Sequence, residues 1–210
     1  MMLAYDDIVA ALEESWVSVA LHEHMLMESV SPDKHMRMYR VELFPEHDEP
    51  LNFDIMPPWI DLSFHWTAAH QLRSEGCHLE TEPIDISWTY MVPVQSVMRH
   101  RSDHELVRLF HQALRNALNH LAITDIPEID EIPVDVRRVY HGDGEQLQVV
   151  YMHLVSTKIT DLSDQWYSQD TQALSELIYY EMHLASTFVY ALADIFTPGG
   201  HGGYLHVDSA

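Results

Sequence analysis

Two segments of this chain alternate apolar and polar residues with a period of two, and no other feature restricts the fold so sharply. From Trp59 to Thr67, Ile60, Leu62, Phe64 and Trp66 fall on one side and Asp61, Ser63, His65 and Thr67 on the other. From Ile86 to Val94, Ile86, Trp88, Tyr90, Val92 and Val94 oppose Ser87, Thr89 and Met91. Successive side chains of a strand leave opposite faces of the sheet, so each segment predicts a strand with one buried and one polar face. Arg37 to Phe44 is a third strand of this kind, with Tyr39, Val41 and Leu43 on one face. The connections, Pro45 to Pro58 and Gln71 to Pro83, are long and polar, as functional or mobile loops are.

Helical periodicity frames these strands. Ile8, Leu12, Trp16 and Val19 recur at helical spacing and predict a first helix from Asp6 to Glu28, stopped by Ser31-Pro32-Asp33. Ser102-Asp103-His104-Glu105 has the form of a capping box, in which serine and glutamate satisfy each other's free N–H groups. The helix it opens carries Leu106, Phe110, Leu114, Ala117 and Leu121 and ends before Thr124-Asp125-Ile126-Pro127. Val134 to Tyr140 and Gln146 to Ser156, joined by His141-Gly142-Asp143-Gly144, read as a β-hairpin. Leu147, Val149, Tyr151, His153 and Val155 share a face of its second arm. A third helix spans Thr171 to Phe196 and carries Leu174, Leu177, Ile178, Ala185, Phe188, Leu192 and Ile195 as a wide apolar face. The expected order is α-β-β-β-α-β-β-α: an α+β fold, an antiparallel sheet flanked by helices. Residues 1–196 are expected to form one domain and residues 197–210 a flexible tail.

Charge narrows the partners. Eleven Lys+Arg against 33 Asp+Glu give a formal charge of -22. Such a surface repels phosphate, so neither direct nucleic-acid binding nor an anionic membrane is expected. The composition suits a salt-adapted surface, a chaperone for basic or aggregation-prone clients, or a DNA mimic. The 16 histidines would bring the charge to -6 if all were protonated, a change centred near about pH 6.5. Solubility should therefore fall toward mildly acid pH. No run of 18 apolar residues and no basic leader with an apolar core occurs, and Cys77 is the single cysteine, so the reading favours the cytoplasm.

Catalytic signatures are missing. His22-Glu23-His24 lacks the second histidine of a helical zinc motif, since position 26 is leucine. His24 with Glu28 and His100 with His104 have a spacing of four, but two ligands make no metal site. His201 and His206 lie among glycines, and Cys77-His78 sits among Glu75, Glu80 and Glu82, which oppose thiolate formation. Neither a G-x-S-x-G elbow nor a phosphate-binding glycine motif is present. Glu181 stands on the apolar stripe of the last helix and is expected to be buried, with Arg137, Arg138 or His153 as candidate partners. Trp66, Trp88 and Tyr90 fit the buried sheet face, whereas Trp59 falls on the opposite phase and is either an exposed contact for a partner peptide or covered by the preceding loop. No catalytic, cofactor-binding or metal-binding residue is assigned.

The element order, and above all Arg138 to Leu154 leading into the long apolar helix Thr171 to Phe196, resembles the type III secretion chaperone-like fold, which includes the secretion chaperones and the YbjN-type bacterial proteins. That resemblance implies a small, acidic, dimeric protein whose sheet and helix surface holds unfolded client segments. The reading it favours is a non-enzymatic, chaperone-like binding module with a protein or peptide partner and a homodimeric state. A second reading is a small-ligand-binding protein or enzyme with a pocket between sheet and helix. For it, Asp61 and His65 on one strand and Ser87 and Thr89 on another are the candidate polar residues. A third is a DNA mimic that inhibits a nucleic-acid-binding protein.

Overall fold

Cross-strand partners share a face, and antiparallel pairing aligns the apolar sets of neighbouring strands. Val41 stands opposite Leu62 and Leu62 opposite Trp88; Leu43 stands opposite Ile60 and Ile60 opposite Tyr90. The structure, a computed structural model, describes residues 5–17, 23–31, 36–44, 58–79, 86–94, 98, 100–123, 128–140, 146–155 and 171–196. Its elements are α1 (Tyr5–Val17), β1 (Glu23–Ser31), β2 (Met36–Phe44), β3 (Trp59–Thr67), α2 (Ala68–Ser74), β4 (Ile86–Val94), α3 (Asp103–His120), a 3-10 turn (Ile129–Glu131), β5 (Val134–Tyr140), β6 (Gln146–Val155) and α4 (Thr171–Phe196). The six strands form one sheet in the order β1-β2-β3-β4-β6-β5, each pair antiparallel. The fold is α+β. The tail 197–210, the turn His141–Gly144 and the connection 45–57 lie outside the described residues.

The helices cover one face of this sheet. α4 packs between α1 and α3 and against β3 and β4, so from Ala185 to Ala193 every residue is buried. A helix enclosed on all sides is apolar on all sides, and its few hydroxyls bond within the helix: Thr187 Oγ1 donates to the His183 carbonyl at 2.8 Å. Phe188 meets Tyr90 of the sheet edge-on at 4.5 Å and Phe110 of α3 at 5.4 Å, so one ring ties sheet and both helices together. Tyr5 of α1 packs on Phe64 and Trp66. α3 begins as its sequence predicts. Ser102 N donates to Glu105 Oε2 at 2.9 Å and Glu105 N to Ser102 Oγ at 3.3 Å. These bonds from Ser102, backbone first, hold the Glu105 carboxyl below its usual range. The helix closes through Ala122, whose φ of 53° lets Ile123 N donate to Leu118 O and Ala122 N to Asn119 O.

The structure corrects two parts of the predicted order. The first helix ends at Val17 rather than Glu28, and Glu23–Ser31 is a strand. Leu, Met and Glu, which fill that segment, are strong helix formers, so local preference pointed the wrong way. Pairing overrides it, because β1 adds a nine-residue ladder to β2, whose outer edge would otherwise stay unsatisfied. The second correction is α2, which occupies the start of the expected loop Gln71 to Pro83. Its capping box uses histidine in place of glutamate: Thr67 N donates to His70 Nδ1 at 3.0 Å, and His70 N to Thr67 Oγ1 at 3.4 Å. The resulting order has one more strand before α3, and one more short helix, than the layout that suggested the secretion-chaperone likeness.

Candidate functional site

The sheet face turned away from α1, α3 and α4 gathers the polar residues of both alternating strands. Asp61 stands opposite Thr89 and Ser63 opposite Ser87. Register extends both rows across the sheet. Glu42 and His153 flank the first as Glu42, Asp61, Thr89, His153; Arg40 and Val155 flank the second as Arg40, Ser63, Ser87, Val155. Apolar positions border these rows. On one side β1 and β2 place Met25, Met27, Met36 and Met38 on this face. On the other, Trp59 stands opposite Met91 and Met91 opposite Tyr151. Trp59, Asp61, Ser63, Ser87, Thr89 and Met91 are half-buried and His65 is exposed. By register the polar rows thus adjoin the Trp59–Met91–Tyr151 row at one end, and at the other the rows Ser29–Met38–His65 and Ser31–Met36–Thr67 mix methionine with polar residues; the outer strands, β1 and β5, bound the face.

The candidate pocket residues meet on this face and not where that reading placed them. Asp61, His65, Ser87 and Thr89 all lie on the side opposite the helices, because the alternate positions Ile60, Leu62, Phe64, Trp66, Trp88 and Tyr90 fill the sheet–helix interface, each at most 3% exposed. A cleft of about 370 Å³ does exist, but the described residues that line it are Glu14, Ser15, Ser175, Glu176 and Tyr179, all of α1 and α4. Trp66, Trp88 and Tyr90 are core, as their phase predicts.

Glu181 is buried at 9% exposure on α4, as its place on the apolar stripe implied. It lies close enough to Tyr90 to act on its hydroxyl, whose pKa is pushed far up, by burial first and by Glu181 second. Two of its three expected partners sit on the wrong face. Val134 and Val136 of β5 pack against the core, so Arg137 faces away from α4, exposed and paired with Asp135 at 3.4 Å. His153 stands opposite Thr89 on the open face, while Arg138 holds a register position on the helix side.

The remaining titratable groups have structural work. His111, buried on α3, donates from Nε2 to the Ile132 carbonyl at 3.0 Å, and its Nδ1 lies 3.7 Å from Asp130, which also pairs with Arg115. Through Nε2 the histidine clasps the 3-10 turn to α3. His70 completes the α2 cap and packs its ring on Trp66. Sequence reading missed both, since neither spacing marks a histidine that caps or clasps. Cys77 and His78 are both exposed. His24 and Glu28 lie on β1 rather than a helix, where four residues span roughly 13 Å instead of one turn. His100 and His104 are exposed on either side of the α3 cap. His22, His201, His206, Glu80 and Glu82 fall outside the described residues. Among the described residues no group of three or more His, Cys, Asp or Glu is placed to hold a metal ion, and no helix is long and apolar enough to cross a membrane. Protein-family models, curated proteins and solved structures, each compared with the chain, give no match.

Proposed function

We propose that the protein is a non-enzymatic binding module that holds a protein or peptide partner on the open face of its sheet. One observation carries the reading: β3 and β4 direct their small and polar residues, together with Trp59 and Met91, to a face that none of α1, α3 and α4 covers. A sheet face that sets Trp59 and Met91 beside polar rows suits an extended segment, and the outer strands of the described sheet suit main-chain pairing with it. The net charge of -22 favours a basic or aggregation-prone client and disfavours direct contact with nucleic acid or membrane. A cytoplasmic homodimer with a chaperone-like task is what the resemblance of Arg138 to Leu154, leading into the helix Thr171 to Phe196, to the secretion-chaperone fold implies, although the observed order has one more strand and one more short helix than the layout behind it. The small-ligand reading loses support, because its polar residues line an open surface instead of a pocket. A DNA mimic would need carboxylates ranked along one ridge, and the open face interleaves them with serine, threonine and arginine.

The test joins native mass measurement to retention of partners from source-cell lysate at low and high salt. The wild-type chain should run as a dimer and retain a discrete protein at both salts. The double variant Trp59→Thr, Met91→Thr should lose that partner while its unfolding midpoint stays near the wild-type value. A variant that still retains the partner would place the contact elsewhere, and a bare monomer with no partner would end the reading.

A further inference from the structure

The cleft between α1 and α4 is lined, among the described residues, by side chains of those two helices, and its chemistry differs from that of the open sheet face. Its lining is mostly apolar, with two carboxylates and one phenol ring among the residues around it. Glu14 on α1 and Glu176 on α4 are exposed, and among the described residues the side chain bonded to them is Gln172, whose Nε2 donates to Glu176 Oε1 at 3.2 Å. Neither helix contains a lysine or an arginine, so no cation on either wall compensates the two acids. Tyr179 stands 46% exposed, unusual for so large a ring, and is held in place by parallel stacking on His183, one turn further along α4. Ser15 Oγ already donates to the Ala11 carbonyl, which leaves the floor with no demand for a polar guest of its own.

We infer that this cleft receives an arginine side chain from a partner polypeptide, its guanidinium between Glu14 and Glu176 and stacked on Tyr179, its aliphatic stem along the apolar floor. Each part of the cleft selects for that occupant. The two carboxylates and the overall charge of -22 call for a cation. The exposed aromatic face prefers a planar, weakly hydrated guanidinium to a compact ammonium, and carboxylates accept its paired N–H groups with bidentate geometry. The volume, about 370 Å³, is at the small end of ligand sites and suits one long side chain rather than a cofactor. This site is separate from the open sheet face, so a partner could use either surface without the other.

The experiment titrates the purified full-length chain at low ionic strength with a blocked Ala-Arg-Ala peptide, followed by amide NMR shifts. The lysine and citrulline versions of the peptide are the comparisons. Saturable shifts centred on Ser15, Ser175, Glu176 and Tyr179 are expected. Lysine should bind several-fold more weakly, and uncharged citrulline should not bind measurably. Glu14→Gln with Glu176→Gln should weaken arginine binding by about tenfold or more, and Tyr179→Leu by several-fold. Glu128→Gln with Glu131→Gln, exposed acids on the 3-10 turn, should change it little. All substituted positions are solvent-exposed, and an unchanged unfolding midpoint confirms that the fold survives. Absent binding, equal binding of arginine and lysine, shifts scattered over the acidic surface, or indifference to Tyr179→Leu would each overturn the assignment. The peptide reports on the cleft alone, whereas the Trp59 and Met91 variants report on the sheet face, so the two proposals fail separately.

Discussion

The two faces of the sheet come from the same strands, yet they have little else in common. On β3, Ile60, Leu62, Phe64 and Trp66 are at most 2% exposed under the helices, while the residues between them, Asp61, Ser63, His65 and Thr67, are half-buried or exposed. On β4 the even-numbered residues Trp88, Tyr90, Val92 and Val94 are buried in the same way. Burial is therefore divided by the parity of the residue number. A substitution at an even position costs folding free energy, and one at an odd position costs less, except at Thr67, which caps α2, and at the buried Pro93. The face proposed to bind a partner is thus the one that the core constrains least.

The helix-covered face should show the largest effects. Phe188 is fully buried and touches both Tyr90 and Phe110, so Phe188→Ala should cost about 3–5 kcal/mol in urea unfolding. A loss below about 1 kcal/mol would mean that the ring leaves no cavity, and the contrast between faces would collapse. Tyr90 gives the same contrast a pH signature. Its hydroxyl is an acid whose folded pKa is raised by burial and by Glu181. Its contribution is thus fully present below the unfolded value of 10.0 and is lost as pH rises above it. Tyr90→Phe should flatten the alkaline limb of the stability curve relative to wild type; an unchanged limb would show that this hydroxyl is not the group responsible.

The same physics explains what was legible in the sequence. Trp59–Thr67, Ile86–Val94 and Thr171–Phe196 occupy the spans that their periodicity predicts, because each buries a continuous apolar set and its pattern is the imprint of that burial. Glu23–Ser31 failed because an outer strand is held by its ladder to β2, and a ladder leaves no trace in side-chain pattern when the residues are Met, Leu and Glu. α2 failed because His70 caps it in a place where glutamate or glutamine is the recognised signal. For the site, alternation alone put Asp61, His65, Ser87 and Thr89 on one face of the sheet. It could not say whether helices lay over that face or the other, since either choice satisfies a period of two. The α1–α4 cleft was invisible, because Glu14, Glu176 and Tyr179 look like ordinary exposed helix residues until the two helices are set side by side.

Smaller effects are expected where an element is fixed by local bonds rather than by burial. Ser102→Ala removes the α3 cap and should cost about 1 kcal/mol. Glu105 completes that cap with a carboxyl whose pKa is lowered in the folded state, so its contribution is present above the unfolded value and disappears as pH falls through the folded one. The stability difference between wild type and Glu105→Gln should therefore shrink on acidification. A difference that stays constant from neutral to acid pH would mean that the charged form of Glu105 is not what caps the helix.

The smallest effect on stability is expected at Met91, and it decides whether the open face is a surface in use. Met91 lies between Trp59 and Tyr151 in the ladder and is half-buried. Threonine keeps the β-branched preference of a strand, so Met91→Thr should change unfolding free energy by less than about 1 kcal/mol. A cost as large as that of Phe188→Ala would show that Met91 is core, with another part of the chain packed over it. A small cost would show that Met91, paired with Trp59 across β4 and β3, contributes little to the isolated fold. Under the proposed function its contribution appears when a partner covers it, and partner retention by the Trp59, Met91 double variant reads that contribution directly.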